Sequence, residues 1–197
     1  MAFRHPLPRL WLMTDERIGD SLWPALASLP RGAGVIFRHY ATPAPERRRL
    51  FEAVRAITRR RRLMLILAGS PRDAIAWRAD GAHGRSRHVA RSSRLVRTAP
   101  AHDTGELIAA IRAGVDLIFL SPVFLTRSHP GQRALGPVRF GLAAAPSTTP
   151  IIALGGMTPR GFQQLERLGA YGWAAIDALT LPSSVTPAGG AKPKPGS

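Results

Sequence analysis

The sequence predicts an α/β protein folded as a single, small (β/α)8 TIM barrel; two observations predict that class, and a third excludes disulfide-held and thiolate-metal folds. Eight short apolar runs alternate with segments of helical spacing, which is typical of a parallel sheet covered by helices. Eight such runs within 197 residues favour a closed barrel over a doubly wound open sheet. The chain contains no cysteine, so neither disulfides nor a thiolate metal site is expected to hold it together.

The predicted strands are continuous apolar runs, as expected of strands that are buried on both faces. Each run ends at a polar or glycine-containing exit. Thr14-Asp15 follows the first run, Ser121-Pro122 the sixth and Gly155-Gly156 the seventh. In chain order the eight runs are 10–13, 34–37, 63–67, 81–83, 94–98, 115–120, 151–154 and 173–176.

The predicted helices are recognised by apolar residues that recur every three or four positions and by their capping residues. The first begins at Ser21, a candidate N-cap. Pro71 suits the first turn of the third helix, and Thr158 with Pro159 opens the last. The five predicted helices are 21–29, 45–58, 71–78, 104–113 and 159–168.

Two segments depart from the strand and helix patterns. The stretch 85–93 is short, polar and basic where a barrel normally carries a helix, so an irregular element is expected after the fourth strand. From Pro182 onward the composition shifts to Pro, Gly, Ser and Lys without apolar periodicity. We therefore expect the barrel to occupy residues 1–181 and residues 182–197 to form a disordered tail.

The formal net charge of +16 raises the question of an acidic partner. Lys occurs only at Lys192 and Lys194, so the charge is almost entirely Arg, as a compositional bias produces. The densest run, 59–62, lies where a helix ends, and cations are favourable there. Nucleic acid is therefore not the expected partner. No apolar run approaches the roughly 18 residues of a membrane span, and no secretory signal is present, so a cytoplasmic protein is expected.

Two features at the predicted strand ends suggest chemistry. Gly155-Gly156 followed by Thr158 puts side-chain-free backbone beside a helix N-terminus, an arrangement that binds phosphate but can also be a simple tight turn. His83 and His102 each follow a barrel strand. A histidine can act there as a general acid or base, although a hydrogen-bonded core or rim histidine is the ordinary alternative.

Several short motifs occur in one order along the chain. Residues 79–83 read Ala-Asp-Gly-Ala-His, and residues 121–126 read Ser-Pro-Val-Phe-Leu-Thr. Residues 152–158 read Ile-Ala-Leu-Gly-Gly-Met-Thr, and 169–174 read Gly-Ala-Tyr-Gly-Trp-Ala. In order and spacing these resemble the motifs of the thiamine phosphate synthase/TenI family, over about residues 10–179.

The resemblance implies a (β/α)8 barrel that works in thiamine biosynthesis, with homodimers as a possible assembly. Synthases of this family join a hydroxymethylpyrimidine diphosphate to a thiazole phosphate, with Mg²⁺ helping the diphosphate to leave. TenI relatives instead tautomerise a thiazole carboxylate phosphate, with a histidine as acid and base. The implied ligand is a small phosphorylated thiazole. The implied site consists of His102 as the catalytic residue, Arg38, Thr126, Ser128, Gly155, Gly156, Ile176 and Asp177 around the substrate and its phosphate, and His83, Tyr40 and His129 as further candidates.

The sequence departs from the synthase pattern where the diphosphate and its metal would be held. Of a Gln-x-Arg-x-Lys motif only Arg38 remains, because Ile36 and Tyr40 stand at the other two positions. An Asn-Asp pair becomes Ala68-Gly69. His88 replaces a second metal aspartate, and His129 replaces a lysine. No metal ligand is therefore predicted, and no cofactor is expected unless the protein is a true synthase that uses Mg²⁺.

Three functions stay open at this point. The first is a TenI-like thiazole tautomerase with His102 as the acid and base. The alternative is a divergent thiamine phosphate synthase in which arginines stand in for the metal ligands. The third is a non-catalytic or repurposed ligand-binding barrel, and Asp177 supports it because a carboxylate beside the phosphate site would repel an anion unless it points away.

Overall fold

The computed structural model describes residues 6–85, 95–125 and 133–179, and the strands of these ranges close into one parallel barrel. β1 pairs with β2 on one side and with β8 on the other, which closes the sheet and confirms the predicted (β/α)8 fold. The strands are β1 (Leu10–Thr14), β2 (Gly34–Phe37), β3 (Met64–Ala68), β4 (Gly81–His83), β5 (Val96–Ala101), β6 (Leu117–Leu120), β7 (Ile151–Leu154) and β8 (Gly172–Ala175).

Helices on the outside connect the strands. Short 3-10 turns, Glu16–Ser21 and Asp177–Leu179, follow β1 and β8. The α-helices are α1 (Leu22–Ser28), α2 (Ala44–Arg61), α3 (Pro71–Ala76), α4 (Thr104–Arg112), α5 (Gly136–Ala144) and α6 (Pro159–Glu166). Thr158 accepts a hydrogen bond from the Gly161 N–H at 3.1 Å, which confirms it as the N-cap of α6.

Three details differ from the sequence-based expectation. Ser21 is not an N-cap, since its backbone is already helical and its side chain makes no capping bond. Asp15 caps the preceding 3-10 turn instead. β5 runs from Val96 to Ala101 rather than over 94–98, because its extent is set by pairing with β4 and β6, while Arg97 and Pro100 interrupt its apolar run. The sequence does not predict α5, whose two glycines have low helix propensity, although its Pro137 lies in the first turn, where proline is favourable.

The core has an inner and an outer layer. Inside the barrel, Trp11 is fully buried and meets Phe119 edge to face at 5.4 Å between ring centroids. Gly34 pairs with Trp11 across β1 and β2, and a Cβ at Gly34 would overlap the indole ring. The barrel interior is thus filled with side chains, so a ligand site belongs at its mouth and not along its axis.

The remaining predictions on segments lie partly outside the described residues. The predicted tail, 182–197, and residues 86–93 of the predicted irregular element lie outside the residues that the structure describes. Among residues 6–85, 95–125 and 133–179, no helix combines the length and apolarity that crossing a bilayer requires.

Candidate active site at the mouth of the barrel

Polar side chains and glycines stand at the C-terminal mouth of the barrel, the end at which (β/α)8 enzymes carry their active sites. Sequence-predicted residues found there are Arg38, His83, His102, Gly155 and Gly156. Arg38 follows β2, His83 ends β4 and His102 follows β5, so these three residues share one end of the barrel.

Arg38 is a fixed cation. Its Nε donates to the Thr14 carbonyl oxygen at 3.0 Å, and its Nη2 donates to Oδ2 of Asp15 at 2.8 Å. Burial alone would raise the pKa of the Asp15 carboxyl, but the hydrogen bond from Arg17 and the charges of Arg38 and Arg17 hold it below its usual value. The pair therefore stays ionised, and the β1–β2 edge of the mouth carries a rigid guanidinium.

His39 is buried beside Arg38 and has a positive φ of 42°. Its Nδ1 lies 3.1 Å from the Thr14 hydroxyl, and its ring stacks on Phe37 at 4.6 Å between centroids. Burial lowers its pKa, so the ring stays neutral near pH 7. His39 thus supports the turn that carries Arg38.

His83 is a core histidine. Its Nδ1 lies 2.8 Å from the Thr98 hydroxyl, and its ring meets Phe119 edge to face at 5.3 Å between centroids. Burial, followed by the charges of Arg38 and His102, lowers its pKa to about 3. A ring that stays neutral at any pH above that value is a poor proton carrier, so the geometry favours the structural alternative for His83.

His102 stands directly after β5, and about half of its side-chain surface is exposed. Its Nδ1 lies 2.8 Å from Oε2 of Glu106, and the same oxygen accepts the backbone N–H of His102 at 2.9 Å. The hydrogen bond from His102 is the main cause that lowers the pKa of Glu106. An accessible histidine with a carboxylate partner is an arrangement that can move protons.

The Gly155-Gly156 turn follows β7, with φ values of 93° and 60°. A Cβ on Gly155 would lie 2.8 Å from the Cα of Pro122, and one on Gly156 would lie 2.8 Å from the Cβ of Phe124. No hydrogen bond among the described residues takes up the N–H of either glycine. With Thr158 capping α6 immediately afterwards, the turn offers backbone donors for an anion.

Ile176 and Asp177 lie beside this turn, because β8 pairs with β7 and ends at Ala175. The Leu179 N–H donates to the Ile176 carbonyl at 3.3 Å, which closes the 3-10 turn that begins at Asp177. The backbone at both positions is therefore next to the glycine turn. The direction of the Asp177 side chain lies outside the described structure.

Tyr40 lies near Arg38: partial burial raises the pKa of its phenol, and the charges of Arg38 and Arg47 oppose that rise. Tyr40 is 67% exposed and lies on the α2 side, with the Arg47 guanidinium 5.9 Å from its ring centroid. Thr126, Ser128 and His129 lie outside the described residues.

Sequence reasoning missed three supporting residues. Asp103 and Glu106 have the spacing of a capping box at the start of α4, and that signal could have identified Glu106. In the sequence Asp15 is recognisable only as a polar residue after the first strand. Arg47 donates to the carbonyls of Arg38 and Ala68, both at 2.8 Å, and no local pattern marks an arginine for that task.

Comparison with known proteins gives a consistent family. The family model described as thiamine monophosphate synthase matches residues 12–179. A putative thiamine-phosphate synthase 2 of Aquifex aeolicus is 30% identical over 180 residues, which cover 86% of this chain and 96% of that protein. A thiamine-phosphate synthase of Chloroflexus aurantiacus is 30% identical over 193 residues, covering 91% and 88% respectively.

Solved structures resemble the whole barrel. A thiamine phosphate pyrophosphorylase from Pyrococcus furiosus has a TM-score of 0.71 at 22% identity, covering 86% of this chain and 85% of that one. An N-acetylmannosamine-6-phosphate 2-epimerase from Clostridium perfringens has a TM-score of 0.62 at 14% identity, covering 91% and 93%. At these identities the likenesses show the barrel fold and carry no activity with them.

Proposed function

The chain belongs to the thiamine monophosphate synthase family, and from that premise we propose that its mouth binds a phosphorylated thiazole in thiamine biosynthesis. The Gly155-Gly156 turn carries this proposal. Its two positive φ values and its crowding against Pro122 and Phe124 leave backbone N–H groups without competing side chains. The turn precedes α6, whose N-terminus adds a favourable field for a phosphate.

The synthase reaction is the first candidate. The relatives that match most of the chain carry the name of that enzyme, and they favour it over the tautomerase that the sequence departures suggest. In this reaction a pyrimidine diphosphate and the thiazole phosphate are joined, and diphosphate leaves. Arg38 is held rigidly by Thr14 and Asp15 through its Nε and Nη2, so in this proposal its Nη1 donates to the leaving diphosphate.

The described residues do not fit the magnesium site that the family implies. Magnesium prefers oxygen ligands, and neither Ala68 nor Gly69, at the matched positions, has a side-chain oxygen. Asp15 is engaged by Arg17 and Arg38. Within the three described ranges no group of three or more His, Cys, Asp or Glu side chains lies together. In this proposal, arginine side chains therefore neutralise the negative charge of the diphosphate in place of magnesium.

The tautomerase reaction is the second candidate, and the His102–Glu106 pair favours it. An exposed histidine that is hydrogen-bonded to a carboxylate can take a proton from one atom of the thiazole carboxylate phosphate and return it to another. No diphosphate is released in that reaction, so the departures at Ala68 and Gly69 would have no consequence for it.

Two assays on the purified protein test these candidates. The first measures thiamine phosphate and diphosphate formed from the two synthase substrates, with Mg²⁺ and with a chelator; the second follows interconversion of the thiazole tautomers. We expect thiamine phosphate in the first assay, and we expect His102→Ala to retain it. Turnover in the second assay alone, lost in His102→Ala, would establish the second candidate. Absence of turnover in both assays would overturn the proposed function.

A restored carboxylate sharpens the test. Gly69 has an ordinary φ, and a Cβ there would lie 3.8 Å or more from its nearest neighbours, so Gly69→Asp is sterically allowed. If the missing carboxylate makes the wild-type reaction independent of Mg²⁺, Gly69→Asp should make it respond to Mg²⁺. Gly69→Ala is the matched control. A wild-type reaction that already depends on Mg²⁺ would show that other oxygen ligands hold the ion.

A further inference from the structure

One carboxylate oxygen holds both the backbone and the ring of His102. Oε2 of Glu106 accepts the His102 N–H at 2.9 Å and lies 2.8 Å from its Nδ1. Glu106 is itself fixed, because its own N–H donates to Oδ1 of Asp103 at 2.8 Å at the start of α4. The exposed imidazole is therefore tied to the first turn of α4 through a short closed ring of hydrogen bonds.

The chemistry of the partner determines which ring nitrogen carries the proton. An ionised carboxylate only accepts hydrogen bonds, and the lowered pKa of Glu106 keeps it ionised. Nδ1 of His102 must then be the protonated nitrogen, and Nε2 of the neutral ring is left with a free lone pair. His39 and His83 contact hydroxyls, of Thr14 and Thr98, which can donate or accept and so fix no tautomer.

We propose that Glu106 is a positioning residue for His102, holding it as the Nδ1–H tautomer so that Nε2 faces the ligand as the proton-exchanging atom. This inference rests on the proposed thiazole site, in particular on the proton transfer of the second candidate. Without Glu106 a half-exposed side chain would rotate freely, and its two nitrogens would compete for the task.

A purely structural role for Glu106 is the alternative to exclude. Its carboxylate lies in the first turn of α4, where any acidic side chain favours the helix. Glu46 has the equivalent place in the first turn of α2, is exposed, and serves as the matched control. Loss of a helix-stabilising charge should affect Glu46→Ala and Glu106→Ala alike, whereas a change of tautomer should occur only in the second variant.

The test is nitrogen-15 NMR of the histidine rings in the full chain, without ligand, at an alkaline pH where the rings are neutral. The His102→Ala variant identifies the His102 signals. We expect the Nδ1–H tautomer in the wild type and in Glu46→Ala, and the Nε2–H tautomer as the major form in Glu106→Ala. Glu106→Gln should keep much of the wild-type form, because its amide oxygen still accepts a hydrogen bond. An Nε2–H tautomer in the wild type, or no change in Glu106→Ala, would overturn the proposal.

Kinetics separates this inference from the proposed function. In the tautomerase assay, Glu106→Ala should lower kcat by about 10- to 100-fold with little effect on KM. Losses of this size are typical when the residue that hydrogen-bonds the second nitrogen of a functional histidine is removed. Normal kcat in Glu106→Ala would overturn the positioning role while leaving the thiazole site in place. Absence of thiazole phosphate binding in the wild type would overturn the proposed function, and the NMR result would still stand.

Discussion

Asp15 and Glu52 each bind two arginines, and they differ in burial. The Asp15 carboxylate pairs with Arg17 and Arg38, and its side chain is 13% exposed. Glu52 pairs with Arg48 and Arg55 on the outer face of α2 and is 40% exposed. Water screens the Glu52 pairs more strongly, so the two carboxylates should contribute differently to stability.

We expect Asp15→Ala to lower the free energy of unfolding by about 1–3 kcal/mol, because it leaves the buried Arg38 guanidinium short of an acceptor. Glu52→Ala should cost less than about 1 kcal/mol, as exposed ion pairs do. Urea denaturation of both variants measures the difference. Equal losses would contradict a special role for Asp15 in holding Arg38.

His83 should make stability depend on pH. Its pKa is about 3 in the folded protein, against 6.5 for an ordinary histidine. Below about pH 6.5 the unfolded chain takes up a proton that the folded chain refuses, so the free energy of unfolding falls as the pH falls from about 6.5 towards 3. The slope contributed by one such group approaches about 1.4 kcal/mol per pH unit.

The His83→Gln variant isolates this contribution, because glutamine can bond to the Thr98 hydroxyl without titrating. His39, whose pKa is also lowered, remains in both proteins and cancels. Denaturation at about pH 7 and about pH 5 should show a larger loss of stability in the wild type than in the variant. Identical losses would mean that His83 is accessible to protons in the fold.

At the scale of the element, the caps of α1 and α6 allow a direct comparison. Thr158 caps α6 with a real hydrogen bond, whereas Ser21, which the sequence also suggests as a cap, makes none. Thr158→Ala should therefore cost about 1 kcal/mol of stability. Ser21→Ala should stay within about 0.5 kcal/mol of the wild type. A thermal melt of each variant checks this, and a larger loss at Ser21 would contradict the cap assignment.

The elements that the sequence predicts are those with a continuous apolar run, whereas the misplaced or missed elements depend on pairing and packing with distant residues. Strands such as β3 and β7 are continuous apolar runs, because helices cover them on one side and the filled barrel interior on the other. β5 is displaced from its predicted place because its register depends on pairing with β4 and β6, which composition does not reveal. α5 is held by tertiary packing, with Phe140 fully buried, in spite of its two glycines.

At the scale of the whole molecule, the barrel follows from the count and order of the elements, and the site follows only in part. Strand ends are local features, so Arg38, His102 and the glycine turn could be placed at one mouth. Their partners are residues that the fold brings close from other elements. Asp15 binds Arg38 from the neighbouring strand end, and Arg47 reaches the Ala68 carbonyl because its side chain points towards β3. Sequence spacing contains little information about such contacts.

Glycine substitutions at the two ends of the barrel provide matched probes of the phosphate site. Gly156 and Gly32 both have a positive φ, but a Cβ meets Phe124 at Gly156 and open space at Gly32. Both Gly156→Ala and Gly32→Ala should lose about 1–3 kcal/mol of stability through backbone strain. Gly156→Ala should lose more, because its Cβ would overlap the Leu125 carbonyl oxygen. Only that overlap should displace the turn and its N–H groups at the mouth.

Calorimetric titration of the full chain with the thiazole phosphate, and with the unphosphorylated thiazole alcohol, tests whether the glycine turn binds phosphate. We expect the wild type and Gly32→Ala to bind the phosphate ester about tenfold or more tighter than the alcohol, and Gly156→Ala to lose this preference. Equal affinity for the two ligands in the wild type, or an unchanged preference in Gly156→Ala, would contradict a phosphate site at this turn.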